Sequence, residues 1–419
     1  MHENKPPFSF YLLPFTVHTM SIKKYLSPIN PDELGYRPTE NATTIGEKVK
    51  AYIPNTNPPA IHKDGLVILG VGEDRGAELN AGCGTAPNEI RRYLYQLALP
   101  TDDTDITDLG NIVLGQTADD TYYAVAEVVQ AVIGKGGTLI LLGGSQDLTF
   151  AIYKGYERLN RIHNITTIDA RFDLEDNDEI TSRTWLRNII MQSPNYLFFH
   201  ANIGYQTYFV GQRYVDLMDE LKFDAYRLGD VQTYIERAEA LIRNADIVSV
   251  DLCSVRQSDA PGHGAPSPHG LYGEELCQMM RFAGLSDKTH CLGLFEVNPL
   301  YDIHGQTTHM VAQALWYFIE GFFGRKHDNP LVYPESCVHY LVPLEQMGMD
   351  IHFYKSKTGD RWWVHVPCNN VDLQNLYSPQ LMLPCTYADY RQCMEGGNVP
   401  ELWWRYYRRL NVPTATLSD

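Results

Sequence analysis

The stretch TLILLGGSQDLTFAIYKGYERL, residues 138–159, decides the fold. A threonine and four apolar residues run into two glycines and a polar tip. An amphipathic segment with helical spacing follows at once. That is a buried strand, a tight loop and a helix packed back on the strand. The unit recurs on both sides. GLVILGVG (65–72) reads as a buried strand closed by glycines, and APNEIRRYLYQLAL (86–99) as a helix entered through Pro87. YYAVAEVVQAVIGKGG (122–137) is a helix with a glycine stop. NITTIDARFD, NYLFFHANIG, AYRLG, ADIVSVDLCSV and CLGLFEVNP supply further strands, and HMVAQALWYFIEGFFG (309–324) a long helix with an apolar face. Strands alternating with helices predict an α/β fold: three layers, αβα, around a mainly parallel sheet.

The flanks differ from this core. Residues 1–60 are polar and rich in Pro, Asn and Thr, an irregular arm before an α/β domain over 61–329. MSIKKYLSPINPDELGYRP from Met20 looks like a natural start, so residues 1–19 read as a mis-assigned beginning, and they lack the basic region and cleavage site of a signal peptide. The segment 330–419 changes character. VHYLVPLEQMGMDIHFYKSKTGDRWWVHVP predicts a small antiparallel sheet, and LWWRYYRRL (402–410) a terminal helix docked by its aromatic face.

Composition narrows the function classes. The chain has 419 residues and a formal net charge of −17. So acidic a balance argues against nucleic acid or an anionic membrane as partner. No apolar run approaches the roughly 20 residues that span a bilayer. The eight cysteines are scattered with no CxxC pair, which points to a reducing cytoplasm rather than a disulfide framework.

Four strand ends carry polar clusters: GGSQD (143–147), DARFD (169–173), SVDLC (249–253) and FEVNP (295–299). In parallel sheets functional residues gather at such ends. Order and spacing resemble the ureohydrolase superfamily of arginase, agmatinase and formiminoglutamase, whose motifs are GGDHS, DAHxD, SxDxD and EVNP. NAGCGTAPNEIR (80–91) and DAPGHGAPSPHGLYGEE (259–275) resemble two further family loops, so the likeness spans roughly residues 65–325.

The resemblance implies an arginase-like fold and a pair of manganese ions that activate a hydroxide against a guanidinium or amidine carbon. Carried across, the six ligand positions are Gln146, Asp169, Arg171, Asp173, Asp251 and Cys253. Three match and three do not. Gln146, Asp169, Asp173 and Asp251 retain an all-oxygen half suited to one hard cation, Mn²⁺ or Mg²⁺. The other half needs a histidine and an aspartate where this chain has Arg171 and Cys253. Arginine keeps its proton and cannot ligate. Arg171 is expected to take that ion's place and pair with Asp169 and Asp251. A Cys253 nucleophile is the alternative catalytic group, activated if Arg171 lowered its pKa.

Glu296 matches the glutamate that receives the substrate's cationic head. Ser182, in SRT (182–184), stands where the family has a proton-shuttling histidine. His200 and His263 are candidate ligand contacts, with His269 beside the latter. The family often forms trimers or hexamers, so a homo-oligomer is possible here. Two functions remain open. One is a family member with a degenerate metal site, a pseudoenzyme retaining a pocket for a guanidino or amidino ligand. The other is a formiminoglutamase-like hydrolase of linear amidines working with a single metal. The cofactor is accordingly one divalent cation or none.

Overall fold

A computed structural model describes residues 22–32, 34, 43–102, 104–344, 348–370 and 374–411. The start at Met20 and the segment 1–19 lie outside the described residues. The strands are β1 Leu26–Ser27, β2 Lys50–Ala51, β3 Leu66–Gly70, β4 Ile106–Ile112, β5 Thr138–Leu142, β6 His163–Ile168, β7 Leu197–Tyr205, β8 Asp224–Arg227, β9 Ile247–Asp251 and β10 Cys291–Phe295 in the main sheet, then β11 Cys337–Leu344, β12 Met349–Ser356, β13 Trp362–His365 and β14 Met382–Cys385. The principal helices are α1 Ala86–Leu94, α2 Ala118–Gly134, α3 Leu148–Arg158, α4 Ile235–Arg243, α5 Gly273–Leu285, α6 Gln306–Phe323 and α7 Glu401–Asn411.

The main sheet runs β1-β4-β3-β5-β10-β9-β6-β7-β8, with β2 also on β4. Among the described residues of this sheet, only β1 is antiparallel to its neighbour. Every residue of β3, β5, β9 and β10 is buried. Such strands are covered on both faces, which is why they read as unbroken apolar runs. Helices α1, α6, α5 and α4 pack side by side in one layer, and α2, α3 and the short helix Trp185–Ile190 in the other. Within the irregular arm expected over residues 1–60, the described residues are tied to the sheet. Two short strands, β1 and β2, extend it at β4, with Leu26 opposite Ile112 and Lys50 opposite Thr107.

The layers place the site. β5 and β6 lead into helices of one layer, while β9 and β10 lead into α5 and α6 of the other. These four strands are neighbours, in the order β5-β10-β9-β6. Chain leaving adjacent strand ends in opposite directions opens a crevice outside their carboxyl ends. GGSQD, FEVNP, SVDLC and DARFD all stand at that crevice.

Strands β11 to β14 form a separate antiparallel sheet in sequential order. One face is apolar and buried, through Val342, Ile351, Phe353, Val364 and Leu383. Helix α7 buries Trp403, Tyr406 and Leu410, the docked aromatic face read from its sequence. Among the described residues, no helix is long and apolar enough to cross a membrane.

Candidate metal and ligand site

Two side chains at the crevice sit on backbone that L-residues rarely adopt: Asp173 has φ 52° and Glu296 φ 66°. Such conformations persist only where surrounding contacts hold them, and they aim the side chain. Glu296 is held from two sides. Its Oε1 accepts from Gln146 N at 2.9 Å and its Oε2 from Asn80 Nδ2 at 2.7 Å. Asn80 Oδ1 in turn accepts from Gly264 N at 2.7 Å. One buried amide thus ties the loop of residues 80–91 to FEVNP and to the loop of residues 259–275. Gly144 permits the close approach of GGSQD to its neighbour, since a Cβ there would meet Glu73 O at 2.1 Å.

The carboxylates converge. Asp169 Oδ1 accepts from Arg171 N at 2.8 Å and lies 3.5 Å from Cys253 Sγ. Asp173 Oδ2 accepts from Trp185 Nε1 at 2.9 Å, and Asp251 Oδ1 from Cys253 N at 2.6 Å. Donor atoms of Asp169, Asp251 and Cys253 lie within 4.8 Å of one another. Burial raises the pKa of Asp169 and, with Asp169's charge beside it, pushes Asp251 up to about 6. Burial and then the charges of Asp169 and Asp251 drive Asp173 well above the carboxylate range. Glu296 is likewise raised, by burial and then by Asp251. The site lacks positive charge at its centre.

Arg171 does not supply it. Among the described residues its guanidinium forms no ion pair with Asp169 or Asp251. It lies over the Phe209 ring, 4.0 Å from the centroid, with Nη1 3.5 Å from Phe209 O. Stacking on an aromatic face satisfies a guanidinium at the rim, where it also stays partly solvated. The expected pairing is therefore corrected: only the backbone N–H of Arg171 serves Asp169.

The cation that faces the acids is Arg183. Its side chain is 16% exposed. Burial works against its charge, but Asp173, Cys253, Asp251 and Asp169 outweigh burial and raise its pKa. The sequence carried a signal for it, because Arg183 occupies the glycine place of the family's HGT. Ser182 beside it lines the pocket and accepts from Glu78 N at 3.2 Å.

The other candidates separate. His263 lines the pocket, its Nδ1 accepting from Ala265 N at 2.9 Å, which leaves Nε2–H as a donor. His269 lies in an adjoining groove with Arg227. His200 does not line the pocket. It pairs in register with Ile165, four residues before Asp169, about 13 Å back along the sheet. Its ring is buried between Trp185 and Phe223, and burial lowers its pKa to about 3. It is a neutral core histidine. Nothing beside Cys253 activates it: burial and then the charges of Asp251 and Asp169 raise its thiol well above the ordinary range, which favours the protonated form.

The donor set fits one hard cation. Gln146 Oε1 and Asp169 Oδ2 are buried with no hydrogen-bond partner, and Asp169 and Asp251 bring donor oxygens within 4.8 Å of each other and of Cys253 Sγ; oxygen donors of this kind suit such ions. It does not fit two. The second position offers a protonated thiol and an arginine in place of imidazole and carboxylate. Free space in the adjoining pocket, between Asp251, Cys253, His263 and Glu296, is about 20 Å³, enough for one water-sized occupant.

Comparison with known proteins agrees with the architecture. The model of the arginase family matches residues 64–320. Formimidoylglutamase from Macrococcus caseolyticus is 29% identical over 278 residues, 63% of this chain and 85% of that protein. The Lysinibacillus sphaericus formimidoylglutamase is 27% identical over 282 residues, 63% and 87% of the two chains. Among solved structures, formimidoylglutamase from Bacillus subtilis superposes with TM-score 0.61 at 18% identity, covering 70% of this chain and 95% of that one. Trypanosoma cruzi formiminoglutamase with Mn2+2 gives 0.58 at 20% identity, covering 63% and 94%.

Proposed function

The chain belongs to the arginase family, and from that premise we propose that it has left the family's two-manganese hydrolysis while keeping the pocket. The observation that carries this reading is the loss of two ligands from one metal position, Arg171 being turned onto Phe209 and Cys253 a thiol whose pKa is raised. It binds at most one divalent cation, Mn²⁺ or Mg²⁺, through Gln146, Asp169, Asp173 and Asp251. A bound ion would act as a Lewis acid on whatever oxygen reached it. The remaining work belongs to the chain. Glu296 meets the cationic head of a small guanidino or amidino ligand. His263 donates from Nε2. Arg183 balances the acids, and Arg171 with Phe209 closes the rim over room for one water-sized occupant, so a guanidino or amidino head must displace them to enter. With Ser182 in the shuttle position, no imidazole there carries a proton to a leaving amine.

A formiminoglutamase-like hydrolase of linear amidines, using that single metal, is the second reading. It is favoured by the retained, oriented Glu296 and the two orphaned oxygens. All eight cysteines are free thiols, which supports a reducing, cytoplasmic setting. The acidic balance supports a small-molecule ligand over nucleic acid or membrane. A homo-oligomer is compatible with the fold.

Metal analysis tests both readings. The protein purified without chelator should carry no more than one manganese per chain, and an Arg171→His, Cys253→Asp, Gln146→His triple variant two. Formiminoglutamate, arginine, agmatine and guanidinobutyrate should not turn over after manganese loading of the parent. Turnover of any of them with one equivalent of metal would establish the second reading, and two equivalents in the parent would overturn the first.

A further inference from the structure

One face of the C-terminal sheet carries a cluster that the reading above does not use. Register sets Leu341 opposite His352, His365 opposite Met382 and His339 opposite Tyr354. The pairing of Tyr354 with Trp363 continues to bring His352 beside His365, ring centroids 6.3 Å apart. Side chains alternate across a sheet, so His339, His352 and His365 share the face opposite Val342, Ile351, Phe353, Val364 and Leu383, beside a small buried cluster of Cys337, Trp363 and Met382. Three imidazoles therefore stand on adjacent strands of one face.

Their geometry is specific. His339 Nε2 and His352 Nδ1 are 2.9 Å apart in nearly parallel rings, 4° between planes. Tyr354 stacks on His339 at 4.9 Å and fixes its ring. Two ring nitrogens approach so closely only with a proton or a cation between them. Nitrogens held about 2.0–2.1 Å from a tetrahedral zinc are separated by about 3.3 Å, so an opening of a few tenths of an ångström admits an ion. The Met382 thioether across from His365 adds a soft donor. A net charge of −17 favours cations at the surface.

We propose that His339, His352 and His365 form a site for an imidazole-preferring transition metal of the Zn²⁺, Ni²⁺ and Cu²⁺ class. It is separate from the acidic site in ligand type, since neutral imidazoles select borderline metals where carboxylates select Mg²⁺ and Mn²⁺. His339 and His352 anchor the ion, His365 joins through a side-chain rotation, and water completes the shell.

Zinc titration by calorimetry on the chelator-stripped full chain, with Mn²⁺ saturating, tests this. One Zn²⁺ per chain should bind, with heat retained in Asp251→Asn. His352→Ala should weaken it at least tenfold. His339→Ala, on an exposed edge strand, should do the same with thermal unfolding unchanged, which guards against a misfolded His352 variant. Imidazole nitrogen resonances of His339 and His352 should shift on zinc addition. Binding that survives both histidine substitutions, that disappears in Asp251→Asn, or that leaves those resonances unmoved would overturn the assignment.

Discussion

Asp251 shows how the site is held together at the scale of one residue. Its folded pKa of about 6 lies above the ordinary carboxylate value of 3.8. The folded state then binds more protons than the unfolded one between those values, so stability falls as pH rises through that window and the cost is complete above pH 6. Without metal, Asp251→Asn should stabilise the chain at pH 8 by on the order of 3 kcal/mol, and by nothing near pH 3.5. An asparagine keeps the oxygen that Cys253 N donates to. Denaturant midpoints in chelator at the two pH values check this, and equal shifts at both would refute it. With Mn²⁺ saturating, the same substitution should destabilise, because it removes a ligand. Arg183→Gln isolates the other charge. Removing a cation that faces three carboxylates should tighten Mn²⁺ binding about fivefold, roughly 1 kcal/mol; unchanged affinity would show that Arg183 acts elsewhere. The motif positions were legible in the sequence because spacing survives substitution. The direction of Arg171 was not. It depends on Phe209, a residue 38 positions away whose proximity only the fold creates, and its departure leaves the role to a residue standing where a glycine was expected.

Among elements, β4 was hidden for a reason of the same kind. DITDLGNI has two acids and a glycine where a buried strand should be apolar, so pattern argues against it. The explanation lies in α1. Arg91 Nε meets Asp108 Oδ2 at 2.7 Å with both side chains fully buried. Tyr95 OH and Gly110 N also donate to that carboxylate. A charge with every lone pair satisfied is tolerated inside a sheet, whereas an unpaired one is not. Arg91→Met should therefore destabilise by about 3–5 kcal/mol, far more than its volume change, and adding Asp108→Asn should recover part of the loss. Urea midpoints for the three variants decide it, and additive losses would mean that the pair is not the coupling unit. Strands without such partners, β3, β5, β9 and β10, were legible because burial on both faces writes itself as an apolar run. The short β1 and β2, two residues each, carry too few positions to show any period.

At the scale of the whole molecule, the segment 330–419 could be bounded by its change of composition, but its docking end could not. It packs at the amino ends of the parallel strands. Tyr406 OH accepts from Asn164 Nδ2, in the second position of β6, and from Asn244 Nδ2 shortly before β9. Arg243 at the end of α4 donates to Trp362 O and Cys385 O and lies 4.5 Å over the Trp363 ring. The six residues of β6 put about 20 Å between this seam and the crevice. The extension is thus a support under the sheet and not a lid over the pocket. Tyr406→Phe leaves two buried amides short of a partner and should cost about 1–3 kcal/mol. Because the seam joins both sheets through buried contacts, unfolding should remain one cooperative transition, displaced as a whole. Manganese stoichiometry at Asp169 and Asp251 should stay the same, since nothing at the carboxyl ends has moved. Two separated transitions would show the extension to be an independent unit. A loss of manganese in Tyr406→Phe would show that the two ends of the sheet are coupled through its strands.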